Sequence, residues 1–113
     1  MKNSETLLDT LYQSMVTYYQ GDPARIQHFV KVHSFARMIG RLEGMDEPSL
    51  LILEAAAFVH DIGIKPAEEL YGSCDGKRQE ELGPKPAKEM LEKCGFEKEQ
   101  IDRVAYLVGH HHT

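Results

Sequence analysis

The sequence predicts an all-α protein, and three observations carry that expectation. Apolar residues recur at helical spacing along most of the chain, Gly- and Pro-containing stops separate the candidate helices, and no segment reads as a strand. The 113 residues suffice for a single domain spanning 1–113, and a chain of this length can bury a core without disulfide staples. Hydrophobic residues make up 42% and charged residues 27%, an ordinary globular balance that excludes disordered and collagen-like chains. The formal charge is −5, which argues against nucleic acid as a partner, because little here could displace phosphate counterions.

The elements follow in order. A first helix is expected from Ser4 to Gln20, with Leu7, Leu8, Leu11, Met15 and Tyr18 on one side. Gly21-Asp22-Pro23 ends it and starts the next, with Asp22 as N-cap and Pro23 as first helical residue. The second helix runs to about Glu43 and stops at Gly44. Its apolar residues cover more than half its circumference, which predicts a central helix. Asp46 or Glu47 with Pro48 starts a third helix ending near His60, and its run Leu50–Val59 is apolar nearly all round except for Glu54. A short helix over Pro66–Tyr71 precedes a flexible loop at Gly72–Gly76. Gly83-Pro84 opens a helix to about Cys94, stopped by Gly95, and Glu97 or Lys98 opens the last, to about Val108.

Met1–Met15 carries Glu5 and Asp9 and no apolar signal-peptide region, and Leu50–Val59 is too short to span a bilayer. The expectation is a cytoplasmic protein with no membrane partner. Cys74 and Cys94 form no CxxC pair and read as reduced thiols.

Six histidines are many for this length, and their placement carries the chemistry. His60-Asp61 sits where a buried apolar helix gives way to a Gly-containing turn, so both side chains can face one point. Neutral imidazole with carboxylate suits Mn, Fe, Zn or Mg-type ions, whereas the structural alternative is a dipole-favoured helix end. His28 lies on the preceding helix and His110-His111-His112 follows the last one. Antiparallel helices can bring such residues to one end of a bundle.

These residues resemble the HD-domain metal-dependent phosphohydrolases, from about residue 25 to 113. The resemblance rests on His-x-x-Lys-Val at His28–Val32, on Ala-Ala-Ala-Phe-Val-His-Asp-Ile-Gly at Ala55–Gly63, and on the final His cluster after an apolar helix. It implies His28, His60 and Asp61 as primary ligands of a divalent ion (Mn, Fe, Zn, Mg, Ni or Co), with further ligands from the cluster, His111 and a neighbour such as His110. His33 competes for the first position. The basic residue three on and the Val four on favour His28, and the two are about 140° apart around a helix. His33 then falls to the core, behind a ligand, or to the substrate site.

Relatives often place a His between the His-Asp pair and the final cluster. Here Gln79–Pro84 contains none, so either Glu80 or Glu81 replaces it as ligand or base, or a second metal is absent. Glu54 either orients a ligand His or pairs with an Arg. Lys65, four residues after Asp61, and the pair Lys77-Arg78 are candidates for contacting a substrate phosphate. The family's closing Asp lies on a helix beyond the His cluster, whereas the last Asp here is Asp102. The resemblance therefore predicts an HD-type bundle lacking its last helix, a truncation or a chain completed by a partner.

The implied activity is metal-dependent hydrolysis of a phosphate ester, with a small nucleotide or other phosphorylated metabolite as substrate and Asp61 also orienting the attacking water. A non-catalytic metal-binding sensor or regulatory domain is the first alternative, and a helical interaction module with structural histidines is the second. A homodimer is left open.

Overall fold

Helix α3 (Glu47–Val59) is the element on which the bundle assembles: α1 (Ser4–Tyr18), α2 (Pro23–Leu42) and α5 (Lys98–Val108) all pack against it. Helix α4 (Pro84–Cys94) closes the arrangement against α1 and α5. The computed structural model describes residues 3–63 and 81–110, and among these there is no strand. The short helix expected over Pro66–Tyr71, the loop at Gly72–Gly76 and Cys74 lie outside the described residues.

The helix ends form where the sequence places them. Asp22 and Asp46 cap α2 and α3, each accepting from the backbone N–H three residues on, at 3.3 Å from Arg25 and 2.8 Å from Ser49. The Ser49 bonds hold the Asp46 carboxyl below its ordinary range. Gly95 stops α4 in the left-handed region, at a φ of 96° that only glycine adopts without strain. An uncharged cap went unread: the Asn3 side chain accepts from Thr6 N–H at 2.8 Å and opens α1.

Leu7, Leu11, Met15 and Tyr19 recur every four residues and bury one stripe of α1. They meet Ala55, Phe58 and Val59 of α3, Leu91 of α4 and Val104 and Val108 of α5 in one core. Cys94 is buried within it, its Sγ 3.4 Å from Ser14 Oγ.

One expectation is corrected. Helix α2 is not central: only Phe29 and Gly40 are buried, and Phe35, Met38, Ile39 and Leu42 are exposed on its outer side. Its apolar residues do surround it, but among the described elements its packing is almost all on α3. At the far end of that contact, a Cβ on Gly40 would stand 2.6 Å from Leu50 Cδ1, so the missing side chain lets the two helices approach. Among the described residues no helix is long and apolar enough to cross a membrane.

The two kinds of leucine should separate in unfolding experiments. Leu11→Ala, at a position with 0% exposure, is expected to lose about 2–5 kcal/mol by denaturant titration. Leu42→Ser, at 79% exposure, is expected to stay within about 0.5 kcal/mol of the parent.

Candidate metal centre

Two helix ends build the site. Pro23 and the Asp22 cap start α2, and His28 stands in its second turn. Helix α3 ends at Val59, with His60 as its C-cap, and the chain folds into a tight turn in which Ile62 N–H donates to the Val59 carbonyl at 3.0 Å. Ile62 is fully buried, which anchors the turn and leaves His60 and Asp61 at the bundle's end. Antiparallel packing of α2 on α3 then brings His28 over the pair.

The donor atoms converge. Asp61 Oδ2 lies 3.2 Å from His28 Nε2 and 3.1 Å from His60 Nε2, and the two imidazole centroids are 5.3 Å apart. The side chains of His60 and Asp61 are 18% and 19% exposed, whereas His28 is 55% exposed and opens the group to solvent. His28, His60 and Asp61 are a set whose ligand atoms all fall within 4.8 Å of one another.

This set fits a divalent ion. His60 Nδ1 lies 2.7 Å from the Ala57 carbonyl, which can only accept, so the ring proton is on Nδ1. In the neutral ring Nε2 then carries a lone pair directed at a carboxylate oxygen, an unfavourable pairing that a cation between them reverses. Ligands about 2.1 Å from a common ion at right angles stand about 3.0 Å apart, close to the separations found here. Two imidazoles and one carboxylate are a donor set for Mn, Fe, Co, Ni or Zn ions.

Beside the triad opens a cleft of about 350 Å³, lined by Tyr19, Asp22, Ala24, Arg25, Phe29 and Phe58 as well as His28 and Asp61. Arg25 stands one turn before His28, and its Nε donates to the Asp22 carboxylate at 3.1 Å. The same carboxylate that caps α2 thus orients a guanidinium at the rim. Tyr19 donates its hydroxyl to the Asp61 carbonyl at 2.8 Å, and Tyr18 donates to the Ile62 carbonyl at 3.1 Å. Burial, with Tyr18 and Asp61 nearby, pushes the Tyr19 hydroxyl well above its ordinary range, so it remains a donor.

Sequence reasoning placed neither Tyr19 nor Arg25 in the site. The signal for Tyr19 was its fourth place in the Leu7–Leu11–Met15 series, which puts a hydroxyl at the end of a buried stripe.

Other candidates fall elsewhere. His33 does not line the cleft: its Nε2 pairs with Glu54 Oε1 at 2.9 Å, and its ring stacks on Phe58 with centroids 3.9 Å apart. The reason is the helical rotation between positions 28 and 33, which aims His33 at the middle of α3. Glu54 accordingly does not orient a ligand histidine; it is buried against His33, with Arg37 Nε at 3.9 Å. His110 is exposed and outside the triad, its ring stacked on Tyr106 and its Nδ1 bonded to the Tyr106 carbonyl at 2.6 Å. That local bond turns the imidazole along its own helix. Glu81 is exposed. Lys65, Lys77, Arg78, Glu80 and His111 lie outside the described residues, as does His112.

A family model described as HD domain matches residues 25–113, well over half the chain. Comparison with curated proteins and with solved structures found no match.

The buried histidine gives the fold a pH dependence of defined sign. Burial holds the His33 pKa below its ordinary value, against the opposing pull of Glu54. The unfolded chain therefore takes up this proton first, near pH 6.5, and stability present above that pH is lost as pH falls from there through the lowered folded value. Thermal unfolding of the parent should weaken between pH 7.5 and about 5.5 more steeply than that of His33→Gln. Equal slopes would contradict the assignment.

Proposed function

The chain belongs to the HD-domain family, which includes metal-dependent phosphohydrolases, and from that premise we propose that it hydrolyses a small phosphate monoester with a divalent ion held by His28, His60 and Asp61. The observation that carries this reading is the convergence of three potential ligand atoms, two imidazole nitrogens and a carboxylate oxygen, beside an orienting guanidinium in one cleft. When bound, the ion supplies Lewis acidity to the phosphoryl group and to an attacking water.

The remaining work falls to the chain's own residues. His60 keeps its proton on Nδ1 through the Ala57 carbonyl, which holds Nε2 as a donor. Asp61 directs Oδ2 at the two imidazoles and lines the cleft that a water would enter. Arg25, held at Nε by Asp22, brings a guanidinium charge to the cleft where substrate phosphate oxygens would sit. Phe29, Phe58 and the Tyr19 ring line the cleft, and its volume of about 350 Å³ suits a nucleotide-sized molecule rather than a strand. A formal charge of −5 favours the same choice. Additional ligation or acid–base help from His111, Glu80 or Lys65, and phosphate contacts from Lys77 and Arg78, remain part of the proposal, as does a cytoplasmic setting.

Phosphate release from a panel of nucleoside monophosphates and other phosphomonoesters, with Mn²⁺, Co²⁺, Ni²⁺, Zn²⁺ or Mg²⁺, tests the reading. Metal-dependent turnover is expected. Asp61→Ala and His60→Ala should lower it at least about a hundredfold, since the ion's charge stabilisation is worth several kcal/mol and each 1.36 kcal/mol is tenfold. Arg25→Ala should raise KM about tenfold or more while leaving metal affinity unchanged, because a charge-assisted phosphate contact is worth about 1.5–3 kcal/mol. Bound metal with no turnover of any compound would instead assign the site to a sensor or regulatory role. No bound metal, with Asp61→Ala altering stability alone, would assign the histidines to structure.

A further inference from the structure

Helix α1 and Tyr19 precede the residues matched by the family model, yet they reach the metal centre's backbone. We propose that Tyr19 is a positioning residue for the metal ligands: its hydroxyl, donated to the Asp61 carbonyl, holds the turn that aims Asp61 Oδ2 at His28 and His60. The inference rests on the metal-binding reading above.

The need for such a device comes from where the ligands sit. Asp61 and Ile62 lie past the end of α3, so helical geometry no longer dictates how their peptide units are oriented. Among the described residues the turn has one internal backbone bond, from Ile62 N–H to the Val59 carbonyl, and that bond does not use the Asp61 and Ile62 carbonyls. Two consecutive tyrosines meet these two consecutive carbonyls, Tyr19 at 2.8 Å on Asp61 and Tyr18 at 3.1 Å on Ile62.

Adjacent side chains of one helix point about 100° apart and do not ordinarily reach neighbouring acceptors. Here α1 ends between them: Tyr18 is its last helical residue, and Tyr19 is the C-cap, at φ −101° and ψ 24°. The break in the helix allows both hydroxyls to address the same turn.

The rings are themselves fixed. Tyr18 and Tyr19 stack edge to face at 4.9 Å, and Tyr19 leans on Phe29 at 6.1 Å, one residue from the ligand His28. Tyr19 is 3% exposed, so water competes little for its hydroxyl, and the same ring forms part of the cleft wall. One side chain thereby touches both halves of the triad, the turn through its hydroxyl and α2 through its ring. Tyr19→Phe removes the first contact and keeps the second.

The test measures Mn²⁺ affinity of the full chain by electron paramagnetic resonance, with thermal unfolding recorded on the same samples. The proteins are the parent, Tyr19→Phe, Tyr18→Phe and Leu91→Val. Leu91 is fully buried on α4, which lines no part of the cleft, and it controls for general loss of stability. Tyr19→Phe is expected to weaken Mn²⁺ binding about tenfold, the size of effect seen when a residue supporting a metal ligand is lost. Tyr18→Phe should weaken it less and in the same direction, and it carries the test should Tyr19→Phe fold poorly. Leu91→Val should lower the unfolding temperature without changing affinity.

Parent-like affinity in Tyr19→Phe, or an equal loss in Leu91→Val, would overturn the positioning role while leaving the metal centre in place. Failure of the parent itself to bind Mn²⁺ would overturn the metal reading, and this inference with it.

Discussion

The seam between α2 and α3 is the constraint on which the site depends. The helices run antiparallel, and three contacts mark the seam from one end to the other. Gly40 gives way to Leu50 and Leu53 at the far end, His33 pairs with Glu54 and stacks on Phe58 in the middle, and His28 meets His60 and Asp61 at the near end. Each step along α2 is matched by a step in the opposite direction along α3. A slip of one residue would turn His28 by about 100° and carry it away from Asp61. The middle contact resists such a slip strongly, because it would leave a buried carboxylate without its partner.

That seam also explains why the site is partly open. Helix α3 is packed on several sides, so His60 and Asp61 are held by a turn whose next residue is fully buried. Helix α2 is packed mainly on one side, and His28 is more than half exposed. A fixed pair and a solvent-facing third donor make a centre that an ion can enter, next to a cleft that Arg25 overlooks. Two imidazole nitrogens stand within about 3.2 Å of one carboxylate oxygen, a spacing that a shared cation also fits. The stability of the bundle comes from the core behind it, where Leu11, Phe58, Leu91 and Val108 meet.

Much of this was legible in the residues. Helix starts at Asp22-Pro23 and Asp46, and stops at Gly44 and Gly95, are local chemistry that needs no tertiary context. The His60-Asp61 pair was legible because it interrupts the apolar run of α3 at its end. The error over α2 has a physical origin: apolar residues all round a helix show what it can bury, not what is there to cover it, and Phe35, Met38, Ile39 and Leu42 stand exposed among the described residues. Glu54 was seen as a polar exception in a buried helix, but its partner depends on which turn of α2 faces it. His33, passed over as the first ligand because the Lys and Val that follow His28 favour His28, proved to be that partner. Tyr19 was not read at all: its ring is a core position, and only the fold shows that its hydroxyl meets the Asp61 carbonyl.

The account stands most directly on one ion at one place. A crystal of the protein soaked in Mn²⁺ and measured at a wavelength specific for manganese locates it. The account predicts a single anomalous peak about 2.1 Å from His28 Nε2, His60 Nε2 and an Asp61 carboxylate oxygen, lost in Asp61→Ala. The absence of a peak between these three side chains in the intact protein, or a peak that persists there in Asp61→Ala, would contradict it.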